Sequence, residues 1–493
     1  MSARNLTNKK ELPYIPLGPF QWRIPGIHYR IEKVEFFQGI ILGATALSSI
    51  PYMTDCLGLP YELAWSCVII EVFLYMLHGW LGDPVVPGWI TPTLPFTLVF
   101  LEGFEQGPER IQALIAVQLL VAFLFIFMGI TKLADRFVRL VPASVKGGIL
   151  LAAPITVIQG QLAEDSQLMI APVATLVGTF LLAFLSFSPF CEKKRKTIKI
   201  LDVMAKYGNL FPYLLAMLIG ILLKELSYPE LELGTIIRIP DFGEIFNTVS
   251  IFAVGVPSLS VFLKAVPLAL ICYVLAFGDF VTSETLVKEA QESRNDEHID
   301  FNSSRSNLIS GLRNFILGIF APFPPLAGPL WVGMTVSVAM RYREGEKAMK
   351  SLIGGMSSFR MATFLSVILI PIVSFMKPIM GVGSAITLLF QAYVCARIGM
   401  EYCKSNTDKS IAGVMAAVLA FKGSGWALLV GILMNLALSN MDFQKKKLGV
   451  PTTEELEAID QERDEKIKEL TCQKSLDVQE FYIRKRQKSE ELS

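Results

Sequence analysis

Two apolar stretches of this chain cannot be continuous helices. Trp89 to Leu101 follows Pro84 and Pro87 and contains Pro92 and Pro95, while Leu330 to Met340 follows Pro324, Pro325, Gly328 and Pro329. Proline removes a backbone donor and clashes with the preceding turn, at about 3 kcal/mol inside a helix. Around both stretches lie long apolar runs, and 52% of the residues are hydrophobic against 18% charged. That composition belongs to a polytopic membrane protein and excludes an ordinary soluble domain. Irregular backbone at membrane depth survives only where protein covers it or where it lines a cavity. The two breaks therefore constrain everything else.

A full span needs about 20 apolar residues. Runs of that kind start at Phe36, Tyr61, Ile111, Val141, Leu168, Leu210, Ala265, Leu308, Phe359, Ile379, Ile411 and Trp426. With the two broken stretches they predict an all-α polytopic membrane protein of about 14 segments. With a cytoplasmic N-terminus, the loops carrying Lys132, Arg136 and Arg139, Lys193 to Lys196, Arg341 to Lys350 and Lys445 to Lys447 all lie inside. The acidic loops Glu102 to Glu105, Glu164 to Asp165 and Glu225 to Glu232 then lie outside, as the positive-inside rule asks. The reading is a plasma (inner) membrane protein with residues 1–34 and the charged tail 441–493 in the cytoplasm, and no removable signal peptide.

The breaks fall third and tenth in the series. After each comes one ordinary span and then a segment in which a proline precedes a glycine by five residues, Pro142 to Gly147 and Pro378 to Gly383. The segments thus form two repeats of seven, and because seven is odd the second copy is inverted. Short Gly/Pro-interrupted segments at matching positions of inverted repeats point to a transporter binding site. A channel would need a continuous polar path, and an enzyme a nucleophile–base pair or metal cluster; neither pattern is visible in the sequence.

Asp279 follows the apolar run Ala265 to Phe277. A carboxylate at a helix centre costs about 2.5–3.5 kcal/mol on insertion scales, so it is a functional candidate by default. Thr282 and Ser283 share its face, and no fixed cation is evident beside it. Glu71, inside the second run, is a second candidate, able to pair with Lys146 or with a polar group of the core. Glu284 reads as a surface pair with Lys288. The substrate candidates are Gln38 on the first span, Thr91, Thr93 and Phe96 at the first break, and Gly328, Leu330, Trp331 and Thr335 at the second. The seven cysteines are scattered, the histidines 28, 78 and 298 are isolated, and the net charge is +1. The expectation is no metal, no cofactor other than a coupling proton or sodium ion, and no nucleic acid. A small solute and the lipid bilayer are the expected partners, with a homodimer left open.

Phe37 and Gln38, the two breaks, Gly278 and Asp279, and the run Lys377 to Gly381 resemble the xanthine/uracil permease (nucleobase–cation symporter) family and the related sulfate-permease-like anion transporters. The resemblance covers residues 35–440. It implies a core (segments 1–4 and 8–11) sliding against a gate (5–7 and 12–14) in an elevator-like cycle. It further implies secondary active transport of a nucleobase-like solute with proton or sodium symport, or of a small anion as the alternative. In the nucleobase carriers a glutamate lies one turn before the place of Asp279, where this chain has Leu275. Another acidic residue is expected at the tenth segment, where it has Pro329, Leu330 and Trp331.

Overall fold

The computed structural model describes residues 10–134, 136, 141–164, 166–194, 197–206 and 210–447. Arg139, Asp165, Arg195, Lys196, the first nine residues and the tail from Leu448 lie outside them. The chain is mostly helical. Its principal helices are α1 (Lys33–Gly43), α2 (Tyr61–Leu74), α3 (Leu94–Glu102), α4 (Pro108–Thr131), α5 (Ala143–Gln161), α6 (Pro172–Phe187) and α7 (Leu210–Leu222) in the first half. The second half supplies α8 (Leu259–Ser293), α9 (Ser303–Phe320), α10 (Val332–Tyr342), α11 (Leu352–Ile368), α12 (Met380–Tyr402), α13 (Asn406–Lys422) and α14 (Ser424–Lys447).

Among the described residues, six helical stretches are long and apolar enough to cross a membrane: Lys33–Leu57, Tyr61–Trp80, Pro108–Thr131, Ala143–Gln161, Leu259–Ser293 and Ile370–Tyr402. Five more apolar helices among the described residues are shorter, among them Phe242–Val254, where the run-length reading placed no segment. Helix α8 has 35 residues, about 52 Å at 1.5 Å per residue. It is longer than a hydrocarbon core of about 30 Å, and its last turns are charged. There Lys288 meets Glu284 at 2.5 Å, the surface pair expected from their spacing.

The packing repeats between the halves. Helix α1 lies along α11 just as α8 lies along α4; α9 packs on α4 while α11 packs on α2. Likewise α6 pairs with α7 and α13 with α14, α5 packs on α13 and α6 on α12, and α5 meets α12. Advancing the helices by seven positions exchanges the members of each of these pairs of contacts and returns the α5–α12 contact to itself, as two structural repeats require. The two breaks close this arrangement: β4 (Gly88–Trp89) pairs antiparallel with β6 (Ala327–Gly328), with Gly88 opposite Gly328.

Residues 10–32, within the N-terminal segment expected in the cytoplasm, form a folded collar. A hairpin of β2 (Ile15–Leu17) and β3 (Phe20–Trp22) sits beside β1 (Lys10–Glu11), which pairs in parallel with β5 (Glu297–His298) in the α8–α9 loop. Gln21 Nε2 reaches Asp300 at 2.9 Å, and Lys350 N donates to Glu32 at 2.8 Å. Burial pushes the Glu297 carboxyl up to about 7, with the Tyr342 hydroxyl, the Leu352 amide and Arg294 pulling the other way.

Candidate functional site

The crossing of β4 and β6 is built from residues that tolerate close backbone approach. A Cβ on Gly328 would lie 2.7 Å from the Trp89 carbonyl carbon, and one on Gly88 would lie 2.8 Å from the Leu330 oxygen. No side chain fits at either place. Leu326, just before β6, has φ of 53° in the left-handed region, buried and without glycine's freedom. Such strain costs about 1–3 kcal/mol and persists only where the surroundings enforce it. Here α9 does the enforcing: the Asn314 side chain donates to Ala327 O at 2.7 Å and accepts from Ala327 N at 3.0 Å, standing in for a third strand. Gln118 on α4 accepts from Phe323 N at 3.0 Å.

A helix starts from each strand. A 3-10 turn at Thr91–Thr93 leads into α3, and α10 begins three residues beyond Pro329; no side chain caps either helix. The first N–H groups of a helix carry partial positive charge and attract anions. Helix α8, which bears Asp279, packs against the 3-10 turn, α3 and α10. The two breaks and the Asp279 helix therefore meet at one place.

The candidate substrate residues divide by what their polar groups already do. Thr93 is buried and donates to Ile90 O at 2.7 Å, and Thr335 is buried against the Val86 amide at 3.1 Å. Phe96 and Leu330 are packed into the core, and Gly328 is tied into the ladder. Thr91 and Trp331 are half-buried at the two helix starts, beside exposed Val332 and Gly333. Gln38 is half-buried on α1 and reaches Ser337 on α10 at 3.5 Å. Thr91, Trp331 and Gln38 thus retain access, and the others shape the backbone behind them.

The carboxylates differ sharply. Asp279 is half-buried next to exposed Gly278, and among the described residues it has no hydrogen-bond or ionic partner. Glu71 is fully buried and bound not to Lys146 but to Arg313 on α9, with Nη2 2.9 Å from Oε1. Lys146 instead lies over the Tyr402 ring at 5.9 Å. Arg313 also donates to Gly328 O at 2.8 Å and contacts Gly88 O at 3.5 Å, so it grips both strands of the crossing. Its Nη1 is 3.3 Å from His78 Nε2, and His78 Nδ1 is 2.8 Å from Asp83, which also accepts from Ser306 at 2.6 Å. His78 is therefore part of a buried polar chain, not an isolated residue.

A fixed cation stands at the second break after all. Arg360 of α11 is 3% exposed, with Cζ 3.9 Å from the Tyr75 ring centroid, 5.2 Å from Trp331 and 5.5 Å from Phe359. Its Nε and Nη2 have no hydrogen-bond partner. Cation–π contact recovers about 2 kcal/mol when desolvated, yet buried charges are ordinarily paired with acids. Sequence reading passed over Arg313 and Arg360 because each sits in a run counted as apolar. The usable signal was the rule that any ionisable residue within a span deserves a partner.

No protein-family model matches the chain, and no curated protein matches it. Among solved structures, the transmembrane domain of a cyanobacterium bicarbonate transporter, BicA, is similar over 83% of this chain and 99% of that one, at 15% identity and a TM-score of 0.46. The overall structure of SLC26A9 is similar over 83% of this chain and 65% of that one, at 13% identity and a TM-score of 0.48. The murine SLC26A9 anion transporter in its inward-facing state gives 83% and 69%, again at 13% identity and 0.48.

Proposed function

We propose that this chain is a secondary active membrane transporter of a small anion. The observation that carries the reading is Arg360: a buried guanidinium with unspent donors, placed against Trp331 at the uncapped start of α10. An anion there meets a formal positive charge and the positive ends of two helices. The nucleobase reading lacks the two carboxylates that would accept from a heterocycle's N–H groups, since those places hold Leu275 and the run Pro329 to Trp331. The repeated helix packing suits alternating access, with α1–α4 and α8–α11 carrying the site past α5–α7 and α12–α14. Asp279, on the helix that packs against both breaks and without a partner among the described residues, is the group that meets the coupling proton or sodium ion.

The test is stabilisation of purified protein by ligand. Chloride, nitrate, bicarbonate, sulfate, oxalate, uracil, xanthine and urate are compared, since a ligand at 100 times its Kd adds about 2.7 kcal/mol to stability. The expected result is stabilisation by an inorganic or organic anion that disappears in Arg360→Gln. Stabilisation by uracil or xanthine alone would restore the nucleobase reading.

A further inference from the structure

The side chains behind the crossing form a closed charge set. Glu71, His78, Asp83, Arg313 and Arg360 are each at most 3% exposed. They are held by α2 and the turns that follow it, by α9 and by α11. Arginine has only donors to offer, so His78 Nε2 must accept from Arg313 Nη1, and the ring proton sits on Nδ1, donating to Asp83. That geometry keeps His78 neutral, because an imidazolium would point a proton at the guanidinium. Two arginines then face two carboxylates, and the set balances.

An anion arriving beside Arg360 upsets the balance by one charge in surroundings where an uncompensated ion costs several kcal/mol. We infer that Glu71 takes up a proton from solvent as the anion binds, so that anion and proton enter the buried set together. This rests on the anion reading above. Glu71 is chosen over Asp83 because it is the carboxylate that faces Arg360, while Oδ2 of Asp83 already serves both His78 and Ser306. Glu71 accepts from Arg313 at Oε1, its Oε2 has no hydrogen-bond partner, and the Tyr75 hydroxyl lies against the carboxylate. The groups facing it are Tyr75 on its own chain segment, Arg313 from α9 and Arg360 from α11. The proton bonds to Oε2, the Arg313 contact at Oε1 persists, and Arg360 is released from Glu71's field to hold the anion. Glu71 would thus set the pH dependence of binding, a role distinct from that of Asp279 in driving uptake.

The experiment is calorimetric titration of the purified full chain with chloride and nitrate between pH 5.5 and 8, in buffers of different ionisation heat. Uptake of about one proton per anion is expected, with affinity falling up to tenfold per pH unit on the alkaline side. Glu71→Gln should bind with no proton uptake and a flat pH profile. Anion binding by the unaltered protein without proton uptake overturns the inference and leaves the anion reading standing, as does uptake that survives in Glu71→Gln. If Glu71→Gln does not fold, Asp279→Asn decides: proton uptake must persist there, and its loss assigns the proton to Asp279 instead. Absence of binding by any anion in the wider panel overturns the anion reading and this inference with it.

Discussion

Glu71 and Asp279 are both carboxylates on helices long and apolar enough to cross a membrane, but the fold treats them in opposite ways. Glu71 is enclosed and held by Arg313, which also holds the two strands of the crossing. Asp279 is half-open on α8 with no partner among the described residues. A buried ion pair stores its energy in mutual dependence: removing one member leaves the other charged and stranded. A lone carboxylate at a half-open site depends on nothing that stays in place, so it is free to exchange its counterion. The difference separates a group that the crossing itself leans on from one that, on the proposed reading, serves transport alone.

The largest expected effect comes from breaking the paired side. Arg313→Met should destabilise the protein by about 3–5 kcal/mol, the range for stranding a buried charge, and Glu71→Gln in the same chain should recover part of it. Thermal midpoints in detergent measure both. An unchanged midpoint for Arg313→Met would mean that the pair is not what holds the crossing. On the open side, Asp279→Asn should leave the midpoint within about 1 kcal/mol equivalent while abolishing concentrative uptake in reconstituted vesicles. Exchange at equilibrium should continue. Uphill uptake with unchanged pH and sodium dependence would reduce Asp279 to a structural residue and erase the contrast.

Legibility in the sequence followed the same divide. The order of breaks, Pro142 and Gly147 against Pro378 and Gly383, and the solitary Asp279 were readable because each is a local violation of helix or membrane rules. Arg313 and Arg360 violate the same rules, yet their meaning lies in partners far along the chain: Glu71 and Arg313 are 242 positions apart. No local period announces such a pair. The collar at residues 10–32 was missed for a related reason, since its strands are two or three residues long and β1 finds its partner only in the α8–α9 loop. The exact run boundaries also shifted, α8 beginning at Leu259 rather than Ala265, because proline at 267 is accommodated inside the helix.

Another buried carboxylate sharpens the comparison at smaller amplitude. Glu297 lies beyond the end of α8, is hydrogen-bonded to the Leu352 amide, and has its carboxyl raised to about 7 chiefly by burial. The native state therefore holds this proton more tightly than the unfolded chain does, so its contribution is complete at low pH and is lost as pH rises through about 7. Hydrogen exchange at residues 294–302, corrected for intrinsic rates, should accelerate between pH 6 and pH 8, and Glu297→Gln should flatten that response. Equal protection at both pH values would show that the collar does not sense this carboxyl. The smallest effect is expected at the tail. Truncation after Lys447 should leave uptake within a few-fold, because the charged tail has little apolar periodicity with which to build a core. Complete loss of uptake at normal expression would make the tail part of the transport machinery.

The two-residue ladder between Gly88 and Gly328 couples the starting points of α3 and α10 so closely that neither has room for a Cβ. Helices joined in this way share one frame of reference. A lineage of such proteins cannot retune its cargo by drawing the two helix ends apart or tilting one against the other without first losing the junction. On the proposed reading, variation in selectivity would fall to the side chains around that junction, Gln38, Thr91, Trp331 and Arg360. An effort to redirect the cargo should therefore randomise those four positions and leave both glycines alone.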